Sequence, residues 1–271
     1  MIEERVGAPP RVSWALLPAG LVSASAIMLF GFQLSGWGHL VLVAGVGLGF
    51  LFRRELGIDL LLIGLGVAIV STTSVEADVE WGAFIRIGIV LALAVSVPFL
   101  IDRFLLKRHV IRFPWRSREK KTRLEIAYLF AVPFLGWLIL PFYFIRSGAY
   151  LNWPHITDLS ELVRFFVGVN AVGTWDELFF ICTCFVLLRR HFPLWQANLL
   201  QAIIFVSFLW ELGYRAWGPL LTFPFALLQG WLFAKTRSLG YVLAVHLLFD
   251  AIVFLSIVHA HNPDWIPIFI Y

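Results

Sequence analysis

Apolar runs long enough to cross a bilayer recur along the whole chain, broken only by short turns, and this repetition leaves few folds open. A membrane helix needs about 20 predominantly apolar residues. In hydrocarbon every backbone N–H and C=O must find its partner inside the protein, so such runs span as helices unless strands close into a barrel. The runs cover 12–33, 39–52, 58–71, 81–101, 126–145, 162–188, 197–212, 217–234 and 239–258. They predict an all-α, polytopic transmembrane helical bundle. Because the second and third runs are short, eight or nine spans fit. Only 14% of the 271 residues are charged and 60% are hydrophobic, against about 25% charged in a soluble chain, so the runs cannot be the core of a soluble fold. The partner is therefore the lipid bilayer and the protein is integral to a membrane.

The formal charge of +4 is concentrated in turns. Arg53 and Arg54, the stretch from Arg103 to Arg123, Arg189 with Arg190, and Lys235 with Arg237 alternate with acidic or neutral turns such as Glu76, Asp78 and Glu80. This pattern reads as topology rather than as a nucleic-acid surface, and it places the basic turns and the N-terminus in the cytoplasm. Residues 1–11 lack the order of a signal peptide, so the first run is expected to be retained. The long basic connection divides the chain into N-terminal helices (1–101), a cytoplasmic link (102–123) and a C-terminal core (124–271). Arg86 lies close enough to the end of its run to snorkel to the interface. Arg215 and Trp217 read as interface anchors.

Most polar groups that could carry chemistry lie in the C-terminal part. The run GTWDELFFICTCFVLLRR (173–190) places Asp176 and Glu177 inside the bilayer, where each carboxylate costs about 2.5–3.5 kcal/mol on insertion scales. Such a pair suits general acid–base work. The bland alternative pairs one acid with a base such as Arg215. Neighbours on an α-helix point about 100° apart, so one acid is expected to act while the other holds it. His246 and Asp250, four residues apart in YVLAVHLLFDAIVF, share one helix face, where a carboxylate can orient an imidazole or both can bind a water or a metal. Glu211 lies near the outer end of its run. The other histidines, His39, His109, His155, His191, His259 and His261, fall in or beside predicted turns and carry no claim. Cys182 and Cys184 are too close along a helix to face each other, and two thiols fall short of a structural zinc site; they read as packing residues.

These segments resemble the CPBP family of intramembrane proteases, which includes the type II CAAX prenyl endopeptidases and bacteriocin-processing or self-immunity proteins. The family carries EExxxR on one membrane helix, FxxxH on a following one, and HxxxN or HxxxD further on. WDELFFI (175–181) resembles the first motif, 195–205 the approach to the second, and TRSLGYVLAVHLLFD (236–250) the third; the resemblance covers roughly 162–254. Asp176 stands for the first glutamate, Ile181 for the arginine, and Leu209, or Leu212 counted from Phe208, for the second-motif histidine. Only Glu211 is a polar substitute there.

The resemblance implies an endopeptidase, in a bacterial or archaeal inner membrane, acting on a membrane-associated protein or peptide. Asp176 would activate water with Glu177 in support, and His246 with Asp250 would form a second polar cluster. No cofactor is required by this reading, though Asp, Glu and His are able ligands for a divalent metal such as zinc. A non-catalytic relative binding a peptide, lipid or partner is the alternative, favoured by the lost arginine and histidine. A proton-coupled transporter follows from intramembrane acids alone, but the halves show no paired broken helices. Substrate and oligomeric state are left open.

Overall fold

The computed structural model describes residues 14–116 and 120–270; the expectation for residues 1–11 lies outside them. Among the described residues the regular secondary structure is entirely helical, without strands. Nine helices follow the nine runs: α1 (Leu16–Gly31), α2 (Ser35–Phe52), α3 (Arg54–Val70), α4 (Trp81–Leu105), α5 (Arg123–Arg146), α6 (Leu159–Arg189), α7 (Leu194–Leu212), α8 (Pro219–Thr236) and α9 (Leu239–His261). Five of them, α2, α4, α5, α6 and α9, are long and apolar enough to cross a membrane. Many large apolar side chains point outward, among them Leu51, Phe130 and Leu220, as lipid-facing positions should.

Local chemistry sets the helix ends. Thr122 and Glu125 form a reciprocal capping box at the start of α5. Asp158 accepts from the Glu161 amide to open α6. Gly213 ends α7 at φ +143°, a backbone conformation that glycine tolerates and other residues avoid. Arg86 sits near the start of α4, exposed, donating from Nε to Thr73 Oγ1 at 2.9 Å.

The basic connection is tethered ahead of residues 117–119. The Asp102 carboxylate accepts from the amides of Val110 (2.6 Å) and Ile111 (3.0 Å). Pro114 and Trp115 present their carbonyls to Leu239 N and Gly240 N, so the link caps the first turn of α9. Asp102 also meets Arg108, which reaches Asp59 at 2.7 Å; Asp59 in turn accepts from Arg190 (2.6 Å) and approaches His191 Nε2 (2.7 Å). This ionic knot joins α3, the end of α4 and the end of α6. Asp59, at the head of the third run, had no role in the sequence reading.

The N-terminal helices pack directly on the rest. Ser23 donates to Leu200 O across α1 and α7. A side chain at Gly66 on α3 would collide with the Phe179 ring of α6. Between α7 and α8, Asn198 and Gln201 donate to the Leu227 and Ala226 carbonyls.

Candidate active site

Helix α6 is α-helical as far as Asp176 and then π-helical over Glu177–Phe185. The change of winding begins at the acid pair. A π-turn bonds i to i+5 and so rotates less per residue, and such segments occur frequently at functional sites. Thr183 Oγ1 marks it by donating to Leu178 O, five residues back.

The two acids grip one imidazole from its two edges. Glu177 Oε1 meets His246 Nδ1 at 2.7 Å and also accepts from Gln229 Nε2 at 2.7 Å. Asp176 Oδ2 lies 3.6 Å from His246 Nε2, and Asp250 Oδ1 lies 3.7 Å from the same nitrogen. The two acids are placed unequally, Asp176 on the open Nε2 edge and Glu177 on the buried Nδ1 edge. The ring offers two edges, and each acid takes one. With Nδ1 committed to Glu177, the Nε2 edge is left for the two aspartates. All four side chains are buried.

Asp176, His246 and Asp250 line a cavity of about 350 Å³, whereas Glu177 lies behind the ring and outside the lining. Asp176 Oδ1 and Asp250 Oδ2 have no hydrogen-bond partner among the described residues. Polar atoms in that condition are costly to leave dry, which marks them as groups built to meet water or a ligand. Leu209 and Leu212, the positions where the second-motif histidine was sought, both line the cavity as apolar wall.

Glu211 goes elsewhere. Its Oε1 accepts from the Val75 amide at 3.3 Å, on the turn between α3 and α4, and it does not line the cavity. Arg215 pairs with Glu76 at 3.6 Å and lies over the Trp210 ring, so it does not neutralise the acid pair. Cys182 and Cys184 are free and buried. Among the described residues no group of three or more His, Cys, Asp or Glu side chains is disposed to hold a metal ion.

Gln229 escaped the sequence reading. A lone amide in an apolar run gives no motif; only its contact with Glu177 and the Val242 carbonyl reveals it. Gly173 also gained meaning. Its hydrogen faces the Asp250 carboxylate, and a Cβ there would overlap Asp250 Oδ2 and crowd His246. Gly173→Ala is therefore expected to push the Asp250 carboxylate off the imidazole. The check is whether the variant keeps wild-type helicity by circular dichroism in detergent while its activity is lost.

Comparison with protein families matches residues 158–252 to a model described as type II CAAX prenyl endopeptidase Rce1-like. The matched stretch runs from the cap of α6 into α9 and contains Asp176, Glu177, Gln229, His246 and Asp250, in agreement with the CPBP resemblance of the motifs. Neither the curated proteins nor the solved structures gave a match.

Proposed function

We propose that this membrane protein, Rce1-like over 158–252, is an intramembrane endopeptidase that hydrolyses a peptide bond in a membrane-associated protein or peptide. One observation carries the reading: Asp176, His246 and Asp250 converge on the wall of a mostly apolar cavity, with Glu177 fixing the ring from behind. A buried, pre-oriented set of carboxylates and imidazole can activate water where bulk water is scarce.

In this mechanism Asp176 takes a proton from a water in the cavity, and the hydroxide attacks the peptide carbonyl carbon. The Nε2 edge of His246, steadied by Asp250, faces the developing oxyanion. Glu177 holds the ring through Nδ1, and the proton taken by Asp176 passes to the leaving amine. Gln229 is a positioning residue that acts through Glu177. Its replacement by leucine should lower kcat by about 10–100-fold with KM unchanged, the size seen when an outer partner of an oriented histidine is removed. A fall in KM or a loss of fold in place of that split would remove Gln229 from this role.

The test is cleavage of a library of membrane-associated peptides by the purified protein in nanodiscs, with His246→Ala at matched folding. Cleavage by wild type and none by the variant is the expected result. No cleavage by either would move the protein to the second reading, a non-catalytic relative that binds a peptide, lipid or partner. Two observations favour that reading: Leu209 is apolar wall, and Glu211 turns to the Val75 amide instead of joining the cluster.

A further inference from the structure

The cavity has a side. Its lining comes from the 71–80 turn, the first half of α4, Trp153, α6 as far as Asp176, the end of α7, Tyr214, the start of α8 and the middle of α9. Apart from the mid-helix residues of α9, these lie towards the helix ends joined by the turns at 71–80, 147–158 and 213–218. No lining residue comes from the basic turns at 53–54, 103–123, 189–191 or 235–237.

Towards those basic turns the site is closed. Phe205 packs on the His246 ring and Phe180 stacks on Phe205, and both are buried, as are Val242 and Val245 on the turn of α9 that precedes His246. Beyond them, the tethered connection caps α9 through Pro114 and Trp115, and the Asp59 and Asp102 knot binds α3, α4 and α6 together. The segment from Arg103 to Arg123 holds nine Lys or Arg and one acid, whereas the 71–80 turn holds acids and no base. That asymmetry puts the closed side in the cytoplasm.

The open side is a built mouth. Asp78 and Arg164 both line it. Arg164 is fixed there, donating to Val79 O at 2.7 Å and Ser160 Oγ at 2.6 Å. Inward from this rim the walls are apolar, including Phe84, Leu91, Phe165, Leu212, Phe225 and Phe249, until the unpartnered oxygens of Asp176 and Asp250.

We propose that the site takes its substrate from the extracytoplasmic side, as a polypeptide segment whose cleaved bond is flanked by apolar side chains. The polar backbone of such a segment would meet Asp176 and His246, its flanking side chains the aromatic walls, and its solvated remainder the Asp78 and Arg164 rim. The substrate clause rests on the hydrolase reading; the direction of access does not.

Single cysteines separate the two. Cys182 and Cys184 are buried, so wild type serves as the blank. Asp78→Cys at the mouth, Leu212→Cys in the wall and Lys121→Cys on the basic connection are exposed to a membrane-impermeant maleimide in right-side-out and in inside-out vesicles. The first two are expected to label in right-side-out vesicles only, and Lys121→Cys in inside-out vesicles only. Labelling of Leu212→Cys from the same side as Lys121→Cys overturns the proposal. So does an Asp78→Cys that labels from outside beside a Leu212→Cys that labels from neither side, because the cavity would then not open through that mouth. A labelled cavity in a protein that cleaves nothing leaves the route standing and removes the hydrolase.

Discussion

Asp176→Asn is expected to lower the cleavage rate by about 10²–10⁴-fold, the contribution of a positioned general base. The substitution changes almost no volume and keeps an oxygen near His246 Nε2, so binding and fold should survive while proton abstraction does not. Asp176 is the acid to test because it lines the cavity, whereas Glu177 is held between His246 and Gln229. The measurement is single-turnover cleavage in nanodiscs, with substrate binding followed separately. A rate within a few-fold of wild type would remove Asp176 from the mechanism. Glu177→Gln gives the contrast: the amide would offer its own N–H to a site that already receives Gln229 and the imidazole, so the ring should lose its fixed orientation. Its defect should then appear as a displaced or broadened pH profile as well as a lower rate.

The bundle was legible in the sequence because hydrocarbon permits few alternatives, and nine apolar runs became nine helices. The motif spacing likewise brought His246 and Asp250 to one helix face. Other features were not readable, for definite physical reasons. An ideal α-helix separates Asp176 from Glu177 by about 100°, and nothing local announces the π winding that starts at Glu177. Glu211 looked like a substitute for a lost histidine because it is the only polar side chain at the second motif, although it lies near the outer end of its run; the structure gives it to a backbone amide on a distant turn. Gln229 and Gly173 matter through contacts with residues on other helices, 52 positions away for the glutamine, and no local pattern carries that information. Asp59 was passed over because it sat beside the acid and arginines of a supposed turn in water, Arg53, Arg54 and Glu55, yet it is buried and central to an ion network.

That network supplies the second large effect. Asp59→Leu is expected to cost about 3 kcal/mol of stability, the low end of what breaking a buried ion pair costs when one partner is left behind. Asp59 faces Arg108, Arg190 and His191 at 2.6–2.7 Å and is itself 1% exposed. Without it, Arg108 keeps Asp102 at 3.0 Å, which limits the loss. Arg190 keeps only Glu55 at 3.2 Å, and its side chain, one-third exposed, can turn to water. Asp59→Asn should cost less, since the amide still offers one oxygen to a guanidinium. The readout is the midpoint of detergent-driven unfolding by near-ultraviolet circular dichroism. Arg190 lies just past the end of α6, 13 residues beyond Glu177 and several helical turns from the site, so kcat per folded molecule should stay at the wild-type value. A variant that unfolds at the wild-type midpoint would show that the knot serves something other than holding α3, α4 and α6 together. One that stays folded but loses activity would couple the basic face to the site across the closed floor, which the access route through the opposite mouth does not require.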